Sequence, residues 1–280
     1  MREIARDGRV GLAFESLVRR PELVHVFTTR GQAQEAGPRT PGKDAPAAPT
    51  CSGNLSLSGG RDRQAALAER RFWSAWLDLH PEDWVVGGQV HGARIAAVGE
   101  GERGRGASDP AGAIPGTDGL VTTIPGLPLY TAVADCAAVL LLRPGRAPAL
   151  GLIHAGWRGL RDGVLRQAAA AMGEPDEVLA GISPCIGLLH FEVGEEVAEH
   201  APPRRRIRYR DRWHVDLAGW ANDQLLQAGL RQAHVEVSGL DTFERPDLFF
   251  SHRRDGPDTG RMGLVAALRG PAAAAGPPRS

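Results

Sequence analysis

The sequence predicts an α+β fold, a single domain in which mixed β-sheets are flanked by helices. Short segments rich in valine, leucine and isoleucine have the length and composition of buried strands. They cover residues 23–29, 84–90, 94–98, 119–123, 129–134, 137–142 and 149–154. Three further segments carry apolar residues at helical spacing, so we expect helices to cover the sheets.

The three predicted helices differ in the signals that define them. The first covers residues 62–79 and has an apolar stripe through Leu67, Phe72 and Trp76. The second covers residues 158–172, directly after a strand and just before a glycine. The third covers residues 216–228 and begins with an aspartate, a residue that commonly caps helix N-termini.

Glycine and proline, 36 and 21 of the 280 residues, are concentrated between these elements. We predict a mobile loop over residues 32–53, a second polar loop over 99–116 and a disordered tail over 271–280. None of these segments separates two self-sufficient hydrophobic cores. The sequence therefore predicts one domain spanning residues 1–270.

The charge and cysteine content exclude several classes of protein. Thirty-three basic residues balance thirty-three acidic ones, so no bulk field attracts nucleic acid or an anionic membrane. No apolar run approaches the roughly 20 residues of a membrane-spanning helix. Three widely spaced cysteines indicate a reducing compartment rather than a disulfide framework. We therefore expect a cytoplasmic protein with neither nucleic-acid nor membrane partners.

Three predicted strands end in side chains that bind metals. His91 ends VVGGQVHG, Cys136 follows Asp135 in YTAVADCAA, and His154 ends the strand in ALGLIHAGWRG. Two imidazoles and one thiolate form the kind of donor set that zinc prefers, with a fourth position open for water. An open zinc site makes hydroxide available at neutral pH. We predict Zn²⁺ as the cofactor, with copper accepted in vitro.

The same residues allow two other interpretations. A cysteine among apolar residues is often core filler, and a histidine in a turn is often only hydrogen-bonded. Alternatively, Cys136 is a nucleophile and His154 its base. We favour the metal interpretation because a catalytic dyad does not need His91 as a third ligand.

Several motifs occur together and in a fixed order. They are QVHG (89–92), TDGLVT (117–122), ADC (134–136), HAGWRG (154–159), SPCIG (183–187), FEVG (191–194), DLAGWANDQLLQAG (216–229) and FFSHRRDGPDTGRM (249–262). In these motifs the chain resembles a family known as laccase-domain proteins, polyphenol oxidases, peptidoglycan editing factors and zinc-type purine nucleoside phosphorylases. The resemblance extends from about residue 24 to residue 268.

The resemblance implies an α+β fold and one metal ion held by His91, Cys136 and His154. It also implies phosphorolysis of adenosine, inosine, guanosine and methylthioadenosine, with hydrolytic deamination of adenosine. The implied partners are therefore small molecules, a nucleoside and phosphate.

Three further residues are candidates for the site. Asp135 adjoins a ligand and is assigned as a catalytic proton shuttle, although such a residue often only orients a metal ligand. Cys185, in SPCIG, is a candidate for catalysis, for the lining of the pocket or for an inert buried thiol. Asn54, in SGNLSL, resembles a family segment near the substrate.

Arginine is the natural phosphate clamp because its planar fork binds two phosphate oxygens. We predict Arg30, which ends the first strand, as the leading phosphate-binding residue. Arg158 follows, because it opens a predicted helix where free N–H groups add to an anion site. Arg253, Arg254 and Arg261 belong to the C-terminal motif.

Other functions remain open at this point. The main alternative is a peptidoglycan editing amide hydrolase that uses either Cys136 with His154 or zinc-hydroxide. Copper-dependent phenol oxidation is less favoured, because multicopper chemistry needs many histidines and nine are spread singly here. A non-catalytic metal-binding protein is the remaining alternative.

Overall fold

The computed structural model describes residues 1–32, 53–59 and 61–270. The strands are β1 (Arg2–Arg6), β2 (Arg9–Ala13), β3 (Leu23–Gln32), β4 (Val85–Gly88), β5 (Ile95–Ala97), β6 (Ile114–Pro115), β7 (Gly119–Thr122), β8 (Leu129–Val133), β9 (Ala137–Arg143), β10 (Ala149–Ala155), β11 (Leu179–Ile182), β12 (Glu192–Val193), β13 (Arg206–Tyr209), β14 (Arg212–Val215), β15 (Val235–Val237) and β16 (Met262–Leu268). The α-helices are α1 (Glu15–Val18), α2 (Arg63–Leu77), α3 (Trp157–Arg161), α4 (Val164–Met172), α5 (Glu195–Ala198), α6 (Leu217–Gln227) and α7 (His252–Asp255).

The strands form two large mixed sheets and one small one. The first sheet has the order β1-β2-β3-β16-β8-β4-β6, and the second has the order β15-β11-β9-β10-β7-β5. The strands β12, β14 and β13 form the small antiparallel sheet. Most neighbours in the large sheets are antiparallel, whereas β4 runs parallel to β8 and β5 runs parallel to β7. The predicted α+β class is confirmed.

The two large sheets pack face to face, and helices cover their outer faces. Leucines and phenylalanines from both sheets, such as Phe27, Leu140 and Leu264, share one buried cluster. The outer face of the second sheet packs against α4 and α6 in another cluster. The outer face of the first sheet packs against Trp73 and Leu77 of α2. Burial of apolar surface on both sides of each sheet is what holds the layers together.

The predicted elements agree with the structure in type but not in every boundary. The predicted helix over 158–172 is divided into α3 and α4, because Gly163 adopts φ +81°, a left-handed conformation incompatible with a continuous helix. The predicted loop over 99–116 contains two 3₁₀ turns and β6. Strands near both termini, such as β2 and β16, were absent from the prediction.

Two predicted segments fall largely on residues that the structure does not describe. The predicted mobile loop over 32–53 falls on residues 33–52, which the structure does not describe, apart from its two end residues. The predicted disordered tail covers residues 271–280, which are also outside the described ranges. Both therefore stay predictions. Within the described ranges, no helix combines the length and apolarity needed to cross a membrane.

His25 of β3 is a buried histidine whose neutral form the fold requires. Its Nε2 accepts a 3.0 Å hydrogen bond from the backbone N–H of Phe14, and its ring stacks on that of Phe14. Burial lowers the pKa of His25 from 6.5 to about 4, although the charge of Glu236 acts in the opposite direction. The pKa of His25 is lower in the folded protein than in the unfolded chain. Its contribution to the free energy of unfolding is therefore complete above pH 6.5 and is lost as the pH falls through 4.

We expect His25→Gln to reduce the loss of stability in acid. Between pH 7 and pH 4 the wild type should lose about 3 kcal/mol of unfolding free energy through this group. The measurement is urea denaturation at both pH values. The control is His80→Gln, which alters an exposed histidine and should lose stability as the wild type does. An unchanged loss in His25→Gln would contradict the assignment.

Candidate active site

A cavity of about 530 Å³ opens where β4, β8 and β10 end. The small residues Gly87, Gly88, Ala132 and Ala134 leave room along one side of it. The wall is completed by residues from α3, α6, α7 and the turn before β16. Sites in sheet proteins commonly form at such strand ends, because side chains from several strands converge there.

Three side chains with metal-binding atoms meet on this wall. His91 follows β4, Cys136 lies between β8 and β9, and His154 belongs to β10. One donor atom from each lies within 4.8 Å of the others. The two imidazole rings are 4.8 Å apart at an angle of 77°. The structure therefore brings together the residues that the sequence predicted as ligands.

Gly156 makes space for these donors. A Cβ atom at this position would lie 3.0 Å from Cys136 Sγ and 3.2 Å from His91 Cδ2. The missing side chain leaves the donors uncrowded on that side. Two nitrogens and one sulfur at this separation fit a single zinc ion.

Asp118 holds the ring of His154 and the backbone turn that carries His91, and it was not among the residues predicted for the site. Its Oδ1 lies 2.8 Å from His154 Nδ1. Its carboxylate also accepts backbone N–H groups from Val90, His91 and Gly92 at 2.8–3.1 Å. The bond to Nδ1 leaves Nε2 of His154 free, as in carboxylate–histidine–metal arrangements.

Cys136 and His154 form a charged pair when no metal separates them. Burial alone would raise the pKa of Cys136, but His154 and His91 outweigh it and lower the pKa to about 6. Burial alone would lower the pKa of His154, but Cys136 and Asp118 raise it to about 9. The sulfur is therefore a thiolate near neutral pH, which is the form that binds metals.

Asp135 lines the cavity, but its carboxylate already accepts several hydrogen bonds. Thr242 Oγ1 donates to Oδ1 at 2.6 Å, and Ser251 Oγ and the backbone N–H of Arg253 donate to Oδ2 at 3.1 and 2.7 Å. Its backbone adopts φ +82°, immediately before Cys136. These contacts fix the turn that carries the thiolate, and the proton-shuttle role of Asp135 stays a prediction.

Cys185 lies outside the cavity wall, whereas its neighbour Ile186 belongs to it. The side chain is buried, and burial raises the pKa of its thiol. Its backbone N–H donates to Leu240 and its carbonyl accepts from Thr242. The structure thus shows a thiol in the core behind the site, and a catalytic role for Cys185 stays a prediction.

Neither arginine predicted to bind phosphate lines the cavity. Arg30 stacks on Phe250 at 4.7 Å and lies 3.5 Å from Asp255. Arg158 is exposed and packs on the ring of Trp157 at 4.5 Å. The helix that it was expected to open is only the five residues of α3. Their roles in phosphate binding stay predictions.

Other arginines do belong to the cavity wall, namely Arg70, Arg253 and Arg261. Asn54 supports one of them, because its Oδ1 accepts the backbone N–H of Arg261 at 2.9 Å. The same oxygen accepts the N–H of Ser56, which lines the cavity. Asn54 therefore joins two parts of the wall through its amide.

The chain is similar to several known proteins. The family model described as "Multi-copper polyphenol oxidoreductase laccase" matches residues 24–269. The purine nucleoside phosphorylase YlmD of Geobacillus stearothermophilus is 37% identical over 76% of this chain and 82% of the relative. Adenosine deaminase RL5, from an unknown prokaryotic organism, is 29% identical over 86% of this chain and 92% of the relative.

A solved structure has the same fold. The crystal structure of YlmD from Geobacillus stearothermophilus superposes with a TM-score of 0.83 at 32% identity. The superposition covers 96% of this chain and 98% of the other. The α+β fold is therefore shared with a relative of known structure.

Proposed function

The chain belongs to the multi-copper polyphenol oxidoreductase laccase family, and on that premise we propose that it is a zinc-dependent purine nucleoside phosphorylase. Its substrates would be adenosine, inosine, guanosine and methylthioadenosine, and it would also deaminate adenosine. Relatives named purine nucleoside phosphorylase and adenosine deaminase support this proposal.

The observation that carries the proposal is the convergence of His91, Cys136 and His154 on the wall of one cavity. Nitrogen and sulfur donors from three protein side chains, with a fourth position left for water or substrate, are typical of catalytic zinc sites. The cavity volume of about 530 Å³ lies within the range of small-molecule sites.

A zinc ion held here would supply a Lewis acid and lower the pKa of a water molecule at the free position. Asp118 would keep the proton of His154 on Nδ1, so that Nε2 faces the metal. Apolar side chains beside the donors, Trp157, Ile186, Phe191 and Leu217, would pack against a purine ring. The guanidinium groups on the wall would attract the anionic co-substrate.

A specific observation favours the peptidoglycan editing amide hydrolase as the second candidate. The pKa of Cys136 falls to about 6 beside His154, as a thiol nucleophile requires. In that mechanism the thiolate would attack an amide carbonyl and His154 would protonate the leaving amine. Water would then hydrolyse the thioester on Cys136, which releases the carboxylic acid and restores the thiolate and the protonated histidine. Phenol oxidation by copper is less favoured, since it needs several copper sites.

The test of the proposed function is turnover of adenosine by zinc-loaded protein, with and without phosphate. We expect adenine and ribose 1-phosphate in the presence of phosphate, and inosine in both cases. His154→Ala should reduce each rate at least about a hundredfold, because it removes a ligand together with the partner of Asp118. Chromatography of bases and nucleosides measures the outcome. If wild-type rates do not exceed those of His154→Ala, the proposal fails.

A further inference from the structure

The hairpin of β13 and β14 concentrates positive charge on the surface. Six of the ten residues from 204 to 213 are arginine, and Asp211 is the only acidic residue among them. The chain reverses at Arg210 and Asp211, whose φ angles of +50° and +60° are typical of a two-residue hairpin turn. None of these ten residues lines the cavity described above. The hairpin is therefore a basic surface separate from the metal donors.

Three arginines of the hairpin have no carboxylate partner among the described residues, namely Arg206, Arg208 and Arg210. Arg206 donates to the carbonyl of Ala198, and Arg208 lies 3.5 Å from the carbonyl of Asp211. The carboxylates near the hairpin pair with its other arginines, Arg204, Arg205 and Arg212. A carbonyl positions a guanidinium without neutralising its charge, so the three arginines remain available to an anion.

The strand β13 lies at the edge of its sheet and has open peptide groups. The sheet order β12-β14-β13 leaves one side of β13 without a neighbouring strand. Residues that flank a two-residue turn exchange hydrogen bonds, so the peptide groups of Tyr209 and Ile207 point toward β14. Those of Arg206 and Arg208 point away from the sheet, where no described residue bonds them. An open edge of this kind can accept an added strand.

The two faces of β13 differ in chemistry. Arg206 and Arg208 project on one face, where both guanidinium groups lie 5.4 Å from the centre of the Trp213 ring. Ile207 and Tyr209 project on the other face and are 39% and 44% exposed. Charge alone suffices to protect an edge strand from aggregation. The exposed apolar pair is therefore what distinguishes β13 from a merely protected edge.

Charge and hydrogen bonding together select the kind of partner. A second copy of this chain would set the arginines of one β13 against those of the other, which is unfavourable. A nucleic acid offers phosphates but no peptide groups for the open edge, and its charge would be repelled by the exposed carboxylates of Glu192 and Glu195 beside the hairpin. An extended acidic segment of a protein satisfies both the arginines and the edge.

We propose that β13 is a docking edge for an extended segment of a partner protein in which acidic and apolar residues alternate. The segment would add a fourth strand to the small sheet, hydrogen-bonded to the peptide groups of Arg206 and Arg208. Its carboxylates would lie on the face of those two guanidinium groups, and its apolar side chains would pack beside Ile207 and Tyr209. This surface is separate from the cavity, so the inference goes beyond the proposed function.

The probe is a fluorescent peptide of about six residues, the usual length of a strand, in which glutamate and valine alternate. We expect it to bind the full-length chain, and we expect Arg208→Glu to weaken the binding at least about tenfold. Arg146→Glu is the matched control, because it makes the same charge change at the exposed turn between β9 and β10 and should alter the affinity less than about twofold. Fluorescence anisotropy measures the binding, and circular dichroism checks that both variants are folded.

Amide hydrogen exchange shows whether the peptide adds as a strand. Binding should slow exchange at the amides of Arg206 and Arg208 at least about tenfold, and should change less at Ile207 and Tyr209, which already bond to β14. A peptide of the same composition, with its glutamates and valines in two blocks, should bind more weakly because it cannot match both faces.

Three results would overturn the proposal. Equal binding of the block peptide, or unchanged exchange at Arg206 and Arg208, would show general charge attraction instead of strand addition. Absence of binding at about 1 mM peptide would exclude the docking edge. Tighter binding of a single-stranded oligonucleotide than of the alternating peptide, lost in Arg208→Glu, would assign the hairpin to nucleic acid. All of these measurements are made without turnover, so they do not depend on the proposed enzymatic function.

Discussion

Cys136→Ser should yield protein with less than about a tenth of the wild-type zinc content and without measurable phosphorolysis. The thiolate is the one anionic ligand of the predicted set, and a serine hydroxyl at neutral pH is protonated and binds zinc poorly. The change is nearly isosteric, so the buried surroundings of β8 and β9 should persist. Elemental analysis of dialysed protein, with circular dichroism as a check on folding, measures the outcome.

Cys185→Ala is the matched cysteine control. It removes a thiol from the core beside the site and should retain zinc, while its turnover tests the predicted catalytic role of Cys185. If Cys136→Ser retains zinc but loses activity, a thiol nucleophile replaces the ligand interpretation and the amide hydrolase becomes the better candidate. If it retains both zinc and activity, the predicted ligand set is wrong.

Asp118→Asn should weaken zinc binding by about 10- to 100-fold, the usual effect of losing a carboxylate that orients a histidine ligand. An amide at this position can accept fewer of the four hydrogen bonds that the carboxylate receives from His154 and residues 90–92. It also no longer favours the tautomer of His154 in which Nε2 is free. Competition with a zinc chelator of known affinity measures the change.

Asp176→Asn provides the comparison for Asp118. Asp176 is an exposed carboxylate paired with Arg231 at 2.9 Å, so its loss should leave zinc affinity within about twofold of wild type. An Asp118→Asn protein with wild-type zinc affinity would show that the histidines are positioned without the carboxylate.

The convergence of the three candidate metal ligands could be predicted because their sequence signal is local. Each of His91, Cys136 and His154 lies at the end of an apolar strand, and the type of side chain determines which donor atom it provides to a metal. The strands themselves are short runs of branched residues, so β9 and β10 were predicted close to their true bounds. Strand ends of a layered fold meet, and three ligand-type residues there indicate a common site.

The role of Asp118 could not be predicted from the sequence because it depends on how the strands pair. The register Ile153↔Gly119 brings Asp118 beside His154, and only the pairing of β7 with β10 reveals it. The only feature of the sequence that indicated Asp118 was its position directly before the buried strand in TDGLVT.

The sequence signal for the arginines of the cavity was even weaker than that for Asp118. All 33 basic residues except Lys43 are arginine, so no spacing distinguishes Arg70 within α2 from its solvated neighbour Arg71. Burial and long-range contacts decide which of them reaches the wall. Arg30 was chosen from a local motif, whereas its contacts with Phe250 and Asp255 depend on distant segments.

The separate origins of the three donors limit how this centre could be transferred by protein engineering. His91, Cys136 and His154 reach one point only because β4, β8, β9 and β10 belong to two sheets packed together. The strand β8 also requires β16, from the far end of the chain, as its neighbour. A peptide covering β4 to β10 would contain all three residues but would lack β16, so we expect it not to form the centre. A graft into another scaffold would have to import both sheets.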